Sequence, residues 1–156
     1  MSGAGSEAAR IAALAAHLAA AGKGRLGRSL ALRHVDAGDC GGCALELAAA
    51  RTAVRGLARL GVVFALSPRE ADVLLLSGPL TRNMRDAAIA CWQAMAEPRW
   101  VVALGDCAVD GGVFKGCYAV AGGAGAALPV DLAIPGCPPD PAAILEGLTA
   151  LLRAVR

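Results

Sequence analysis

Short, almost uninterrupted apolar runs alternate with segments of helical periodicity along most of this chain. The runs at 72–76 and 100–104 are almost wholly apolar, which is typical of parallel strands buried on both faces. Weaker runs predict three further strands, at 29–35, 62–66 and 130–134. Apolar side chains three and four positions apart predict three helices, at 44–60, 82–96 and 142–153. This alternation predicts an α/β fold with a doubly wound, mostly parallel sheet and helices on both faces.

Residues outside these runs complete the predicted organisation. Thr81 is expected to cap the helix that follows it, and the glycine-rich residues 108–128 show no period, which predicts a long loop. Residues 3–21 predict an Ala-rich helix that leads into a linker of glycine and basic residues. We therefore divide the chain into an N-terminal helix and linker, 1–28, expected to pack on a partner, and one α/β domain, 29–156.

Composition and charge narrow the functional classes. Of 156 residues, 56% are hydrophobic but only 3% aromatic, and small side chains supply much of the apolar share, so we expect partner subunits to add stability. The net charge of +2, with no stripe of aromatic and basic residues, argues against a nucleic-acid partner. No transmembrane helix or signal peptide is predicted. Arg25, Arg28 and Arg33 either face a membrane-bound partner or lipid, or form a solvated basic surface.

Four of the six cysteines follow predicted strands. Cys40 and Cys43 form a C-x-x-C after the first strand, and Cys107 and Cys137 lie in Gly/Pro-rich turns after two later strands. The carboxyl ends of parallel strands converge on one crevice where ligands bind. Four thiolates in such a crevice suit an iron–sulfur cubane. Zinc is the alternative, but it favours paired knuckles at short spacing, whereas these thiols are spread over distant loops.

The remaining polar residues and the other two cysteines are given expected roles as follows. Glu46 lies three residues after Cys43 on one helix face, where it either relays protons or simply favours the helix N-terminus. His34 is expected to be a structural histidine with a satisfied hydrogen bond. Cys91 is expected to be a small buried hydrophobe, whereas for Cys117 a spare thiol near the cluster loop is one interpretation. Four aspartates are expected to form turns or bind backbone N–H groups, namely Asp36, Asp39, Asp106 and Asp110.

Several longer motifs carry a resemblance to a known family. They are Arg33-His34-Val35-Asp36-Ala37-Gly38, Cys40-Gly41-Gly42-Cys43-Ala44-Leu45-Glu46, Ser77-Gly78-Pro79-Leu80-Thr81-Arg82, Gly105-Asp106-Cys107-Ala108 and Pro135-Gly136-Cys137-Pro138. With them the chain resembles the small, cluster-bearing subunit of energy-converting membrane-bound nickel–iron hydrogenases of the formate hydrogenlyase and hydrogenase-4 types. That subunit is itself similar to the 20 kDa subunit of respiratory complex I. The C-x-x-C is the hydrogenase-like form of the first loop.

The resemblance implies a flavodoxin-like fold and one 4Fe–4S cluster on Cys40, Cys43, Cys107 and Cys137. It implies an electron-relay subunit of an oxidoreductase complex, peripheral on the cytoplasmic side of the membrane. It also favours a role for Glu46 in handling protons or in supporting the cluster ligands.

The expected partners follow from the same resemblance. They are a hydrogenase large subunit with a nickel–iron centre, a ferredoxin-like multi-cluster subunit and a membrane-arm subunit. The glycine-rich loop, with Phe114, is expected to line the interface with the large subunit. The alternative is a large subunit without nickel, similar to the 49 kDa subunit of complex I, in a quinone oxidoreductase.

Overall fold

The computed structural model describes residues 3–55 and 62–154 of the chain. These residues form five helices and seven strands, whereas the sequence predicts four helices and five strands. The helices are α1 Gly3–Leu26, α2 Gly42–Arg55, α3 Arg82–Ala94, α4 Asp106–Asp110 and α5 Pro141–Ala154. The strands are β1 Leu30–Asp36, β2 Val62–Phe64, β3 Val73–Ser77, β4 Leu80–Thr81, β5 Trp100–Leu104, β6 Val120–Gly122 and β7 Leu132–Ile134. Residues 56–60, expected to complete the second helix, lie outside the described part.

The main sheet has five strands in the order β2-β1-β3-β5-β7, and every neighbouring pair is parallel. Counted among these five strands alone, this is the 2-1-3-4-5 order of flavodoxin-like folds. The predicted doubly wound, parallel α/β architecture is therefore confirmed. Strand β3 lies at the centre of the sheet. It pairs over five residues with β1 on one side and over five residues with β5 on the other.

Alternate residues of the central strands feed two separate apolar cores. Val73 and Leu75 of β3 face α1, α2 and α5, whereas Leu74 and Leu76 face the α3 side of the sheet. All four side chains are fully buried. At roughly 25 cal/mol per Å² of apolar area, burial on both faces explains why these runs carry no polar alternation.

Helix α1 lies on this chain's own sheet. Its Ala15 and Leu18 are buried in the same core as Leu148 of α5. The helix continues through residues 22–26, where the sequence suggested a linker, and only residues 27–29 separate it from β1. Gly24 has a low intrinsic helix propensity. The packing of Ala15 and Leu18 in the core stabilises the helix as a whole, and such tertiary contacts commonly override weak propensity.

Two aspartates close the amino edge of the sheet in the same way. The Asp72 N–H donates to the Ala31 carbonyl, while the Asp72 carboxylate accepts from the Ala31 N–H at 2.9 Å. Asp131 and Val101 make the same pair of bonds, with 2.7 Å for the bond to the carboxylate. We call each such two-way pair an aspartate bridge. Residues of a parallel pair cannot exchange both main-chain bonds, so the side chain supplies the second one.

Two of the basic residues singled out from the sequence have partners within the chain. Arg28 makes a bidentate ion pair with the buried Asp72, at 2.5 and 3.0 Å. Arg33 donates to the Leu66 carbonyl at 2.7 Å. Both guanidinium groups therefore hold elements of this domain together.

The glycine-rich segment contains more structure than the sequence predicts. Instead of one long loop, it holds most of α4, two short 3-10 turns and β6, which pairs antiparallel with β4. Thr81 precedes α3 as expected, but its hydroxyl donates to the Ala37 carbonyl at 2.8 Å and does not cap the helix. Within the described residues, none of the helices has both the length and the apolar character to cross a membrane.

Candidate metal centre

The four strand-end cysteines meet at the carboxyl edge of the main sheet. Cys40 and Cys43 follow β1, Cys107 follows β5 and Cys137 follows β7. Strand β3 separates β1 from β5, so with strands about 4.8 Å apart the first and second of these loops start about 10 Å from each other. The loops must bend towards one another above β3 for the thiols to approach.

Burial and neighbouring charges raise the pKa of two of these thiols. The pKa of Cys43 is raised to about 11, first by burial, then by Asp39 and by Cys107, Cys40 and Cys137. The pKa of Cys107 is also raised, first by burial and then by Cys137 and Cys40. Burial and repulsion from neighbouring thiolates, with no cation between them, therefore favour the protonated forms of Cys43 and Cys107.

The cysteines differ in their exposure to solvent. Cys43 is buried, Cys107 is half-buried, and Cys40 and Cys137 are exposed. In the described segments, no three of the His, Cys, Asp and Glu side chains lie close enough together to hold a single metal ion. A zinc ion would draw four donors to about 2.3 Å from one centre. In a cubane, by contrast, each of the four thiolates binds a different iron atom.

Aspartates shape the first cysteine loop, as the sequence suggested. The Asp36 carboxylate accepts from the N–H groups of Gly38 and Asp39, both at 2.8 Å. The Asp39 carboxylate in turn accepts from the Gly41 N–H. Its second oxygen is buried and has no partner among the described residues. These bonds fix the backbone on both sides of Cys40.

A third aspartate bridge joins the other two cysteine loops. The Asp106 N–H donates to the Gly136 carbonyl at 2.9 Å, and the Asp106 carboxylate accepts from the Gly136 N–H at 2.8 Å. Each partner of this bridge immediately precedes a cysteine, Cys107 or Cys137. The sequence places Asp106 beside the site but does not predict this bond, because its partner Gly136 lies in the turn after a different strand, β7.

Two glycines make room for sulfur. A Cβ on Gly105 would come within 2.6 Å of the Cys43 Sγ, and a Cβ on Gly112 within 2.8 Å of the Cys107 Sγ. Gly105 also has φ +86° and ψ 159°, a conformation that only glycine adopts readily. The backbone of these turns therefore lies directly against the thiols.

His34 and Glu46 occupy different environments near the thiols. His34 shares a hydrogen bond of 2.7 Å with the buried Ser77 hydroxyl, as expected of a structural histidine. Burial lowers the pKa of His34, although Asp39 and Asp36 oppose that shift. Glu46 is half-buried in α2, and its carboxylate has no hydrogen-bond or ion-pair partner in the described part of the chain.

The pattern of cysteines and turns matches a known protein family. The sequence profile of the family described as NADH ubiquinone oxidoreductase, 20 Kd subunit, matches residues 40–151, a stretch that contains all four cysteines. The chain belongs to this family. The predicted resemblance is thereby confirmed, and the chain is a homologue of oxidoreductase-complex subunits.

Two members of the 20 kDa subunit family illustrate its range. The chain is 41% identical over 128 residues to formate hydrogenlyase subunit 7 of Escherichia coli K12, covering 82% of this chain and 50% of that protein. It is 47% identical over 109 residues to an NADH-quinone oxidoreductase subunit of Citrifermentans bemidjiense, covering 70% of this chain and 64% of that protein. The chain thus spans about half to two thirds of these relatives.

Solved structures agree with the fold. An archaeal membrane-bound sulfane sulfur reductase, a respiratory membrane complex, contains a chain that is 29% identical with a TM-score of 0.69, covering 81% of this chain and 70% of that one. A chain of an NAD⁺-reducing nickel–iron hydrogenase has a TM-score of 0.64, covering 83% and 94% of the two chains, and at 23% identity it supports the fold alone.

Two cysteines lie outside the quartet, and Cys91 is less buried than the sequence predicts. Cys91 is half-buried in α3, where burial raises its pKa and the nearby Arg33 opposes that shift. Cys117 is exposed in the turn after Phe114. Neither contributes to the raised pKa of Cys43.

The raised pKa of Cys43 gives this family member a testable pH dependence. In metal-free protein, we expect iodoacetamide to alkylate Cys43 more slowly than Cys117 at pH 8, because the thiolate is the nucleophile and Cys43 is buried and protonated. The rate at Cys43 should rise about tenfold per pH unit until pH approaches its pKa of about 11. Mass spectrometry of each cysteine peptide measures the alkylation rates. Equal rates at Cys43 and Cys117 at pH 8 would contradict the raised pKa of Cys43.

Proposed function

We propose that this chain holds one 4Fe–4S cluster on Cys40, Cys43, Cys107 and Cys137 and acts as an electron-relay subunit of a multisubunit oxidoreductase. The observation that carries the proposal is the placement of all four cysteines in turns after β1, β5 and β7 at one edge of the sheet, where Gly105 of the β5 turn lies directly against the Cys43 Sγ. When bound, the cluster would supply one-electron transfer at that edge.

The residues around the thiols fit such a group. Thiolates are soft donors that suit iron–sulfur clusters, and Gly105 and Gly112 leave space beside two of the sulfurs. Bound iron would supply the positive charge that four crowded thiolates require. The buried Cys43 would form the floor of the site, while the exposed Cys40 and Cys137 would form its rim.

For the electron acceptor, we favour a nickel–iron hydrogenase large subunit over a quinone-reactive one. The C-x-x-C of the first loop supports the hydrogenase form, and formate hydrogenlyase subunit 7 aligns over more of this chain than does the NADH-quinone oxidoreductase subunit. The second candidate, a nickel-free complex that reduces quinone, is supported by the 47% identity to the NADH-quinone oxidoreductase subunit of Citrifermentans bemidjiense.

We further propose a peripheral position on the cytoplasmic side of a membrane, between a ferredoxin-like multi-cluster subunit and a membrane-arm subunit. The support is the resemblance to membrane-bound hydrogenases, together with the likeness to a chain of an archaeal respiratory membrane complex. For the domain organisation, we propose that residues 29–156 carry the cluster. The outer face of the N-terminal helix would contact a partner subunit.

Exposed apolar side chains beside Cys107 form the proposed contact with the large subunit. Val113 is 84% exposed, Tyr118 87% and Phe114 40%, and the Val113 N–H lies close enough to bond the Cys107 thiolate. Val113→Asp and Phe114→Asp should reduce recovery of the large subunit in a pull-down, since a carboxylate would be buried there. Leu66→Asp, at a residue that is 88% exposed beside the opposite edge strand β2, is the control and should assemble normally. Normal assembly of both variants would reject this surface.

Glu46 is our candidate for a proton-handling group. Its carboxylate is half-buried in α2 and has no hydrogen-bond or ion-pair partner in the described residues. Glu46→Gln should leave the iron content unchanged but lower turnover by about 10²-fold, the usual scale for removing a positioned acid or base. Turnover against pH measures the effect, and an unchanged profile would leave Glu46 as a structural residue.

Metal analysis and spectroscopy of the intact complex test the main proposal. We expect about four iron atoms per copy of this chain beyond those of its partners, and an EPR signal on reduction, as for one cubane. Nickel in the purified complex would support the hydrogenase form, while quinone-dependent activity without nickel would support the alternative. One zinc per chain and no iron attributable to it would overturn the proposal.

A further inference from the structure

The aspartate bridge occurs three times in this sheet, twice at the amino edge and once at the carboxyl edge. Asp72 and Asp131 bridge the starts of neighbouring strands, whereas Asp106 bridges the ends of β5 and β7. Asp131 and Asp106 therefore bridge the same two strands, β5 and β7, at opposite ends. Both carboxylates are exposed, and each accepts one backbone N–H, at 2.7 and 2.8 Å.

Position distinguishes the bridge at the carboxyl edge. Its two residues, Asp106 and Gly136, directly precede Cys107 and Cys137. A single peptide bond therefore joins each cysteine to the bridge. The regular hydrogen-bond ladder between the two strands has ended there. Its last bond runs from the Gly105 N–H to the Ile134 carbonyl. Beyond that bond both segments turn away from the sheet, and Gly136 has φ +136°. Without the Asp106 carboxylate, the Gly136 N–H would lose the protein partner that it has in the described structure.

We infer that Asp106 is a positioning residue that sets the separation of Cys107 and Cys137, and so determines how firmly the site retains its metal cluster. The inference rests on the proposed function, because it concerns the same cysteines. The Asp106 side chain is not itself proposed as a ligand. Its effect is carried by the main chain, through the 2.8 Å bond to Gly136.

The charge of Asp106 provides a second, separable effect. The carboxylate belongs to the residue that directly precedes Cys107. Net charge near an iron–sulfur cluster tunes its reduction potential, so removing this charge should raise the potential. Asparagine retains an oxygen that can accept from Gly136, whereas alanine removes both the acceptor and the charge.

The experiment compares Asp106→Ala, Asp106→Asn and the matched control Asp131→Ala in the full chain, purified with its accompanying subunits. The measurements are the rate at which a ferrous chelator strips iron, the EPR spectrum and midpoint potential of the cluster, and the melting temperature. We expect Asp106→Ala to lose iron about 10–100-fold faster than wild type, as is typical when a partner of a metal ligand is removed. Asp106→Asn should retain iron like wild type but show a higher midpoint potential.

Asp131→Ala separates positioning from general stability, since it removes the same kind of bond from the same strand pair. It should lower the melting temperature about as much as Asp106→Ala while retaining iron and an unaltered EPR spectrum. Equal iron loss in both alanine variants, or wild-type retention in Asp106→Ala, would overturn the inference and leave the cluster assignment intact. Absence of the cluster from wild-type protein would instead reject the proposed function, and this inference with it.

A further variant decides the matter if Asp106→Ala does not accumulate. Asp106→Glu keeps the charge but moves the carboxylate one methylene group farther from the main chain. We expect iron loss from Asp106→Glu to be faster than from Asp106→Asn, because geometry rather than charge holds the loops. The reverse order would contradict the inference.

Discussion

Replacing Cys137 with serine is expected to remove the iron of this chain almost completely. A hydroxyl is a poor substitute for a soft thiolate, and three remaining thiols would hold a cubane incompletely. Iron analysis should fall from about four atoms per chain towards zero, and the EPR signal and electron transfer should be lost together. Cys137 is exposed, so the fold itself should survive the change.

Cys117→Ser is the matched control, because Cys117 is also an exposed thiol in a turn but lies outside the quartet. It should retain iron, the EPR signal and activity. The half-buried Cys91 offers a second control in α3. A Cys137→Ser protein that retained a normal cluster, or a Cys117→Ser protein that lost it, would refute the ligand assignment.

Gly105→Ala is expected to have the second largest effect, because it combines backbone strain with displacement of a thiol. The φ of +86° and ψ of 159° cost a residue with a side chain about 1–3 kcal/mol. The new Cβ would also lie 2.6 Å from the Cys43 Sγ, which must rotate away. A metal-bound sulfur cannot rotate freely, so we expect loss of iron as well as a lower melting temperature.

Gly125→Ala controls for the loss of a glycine as such. A Cβ at Gly125 meets nothing within 4 Å, and its φ lies outside the left-handed region. Calorimetry and iron analysis should show Gly125→Ala close to wild type. If Gly105→Ala matched it in both measurements, Gly105 would not be in contact with the site in the functional protein.

The central sheet was predictable because burial on two faces leaves an unmistakable pattern. Strand β5 has the predicted bounds, and β3 is displaced by one residue, since Asp72 ends the loop by bridging to Ala31. Helix α3 ends two residues earlier than predicted, at Ala94. Terminal residues depend on local hydrogen bonds, which periodicity does not encode.

The glycine-rich segment was not predictable in the same way. Helix α4 has only five residues and β6 only three, too few for a period to emerge. Their formation depends on contacts distant in sequence, such as the Arg82 N–H bonded to the Ala119 carbonyl. Thr81 failed as a predicted cap for a similar reason, because the Ala37 carbonyl lies within reach of its hydroxyl.

The cysteines of the candidate site were found from the sequence because each follows a strand. The bond between Asp106 and Gly136 was not, since it requires knowing that β5 and β7 are neighbours. An aspartate directly before a strand-end cysteine was the available signal. It becomes informative only when the strand order is known.

The last cysteine of the quartet follows β7, the outermost strand at one side of the sheet. During synthesis, β7 emerges from the ribosome after the other described strands, so a nascent chain that ends before it carries at most three of these thiols. Maturation factors would therefore meet the full quartet only after β7 has emerged. A truncated polypeptide from an interrupted message would be unable to sequester a full inorganic core.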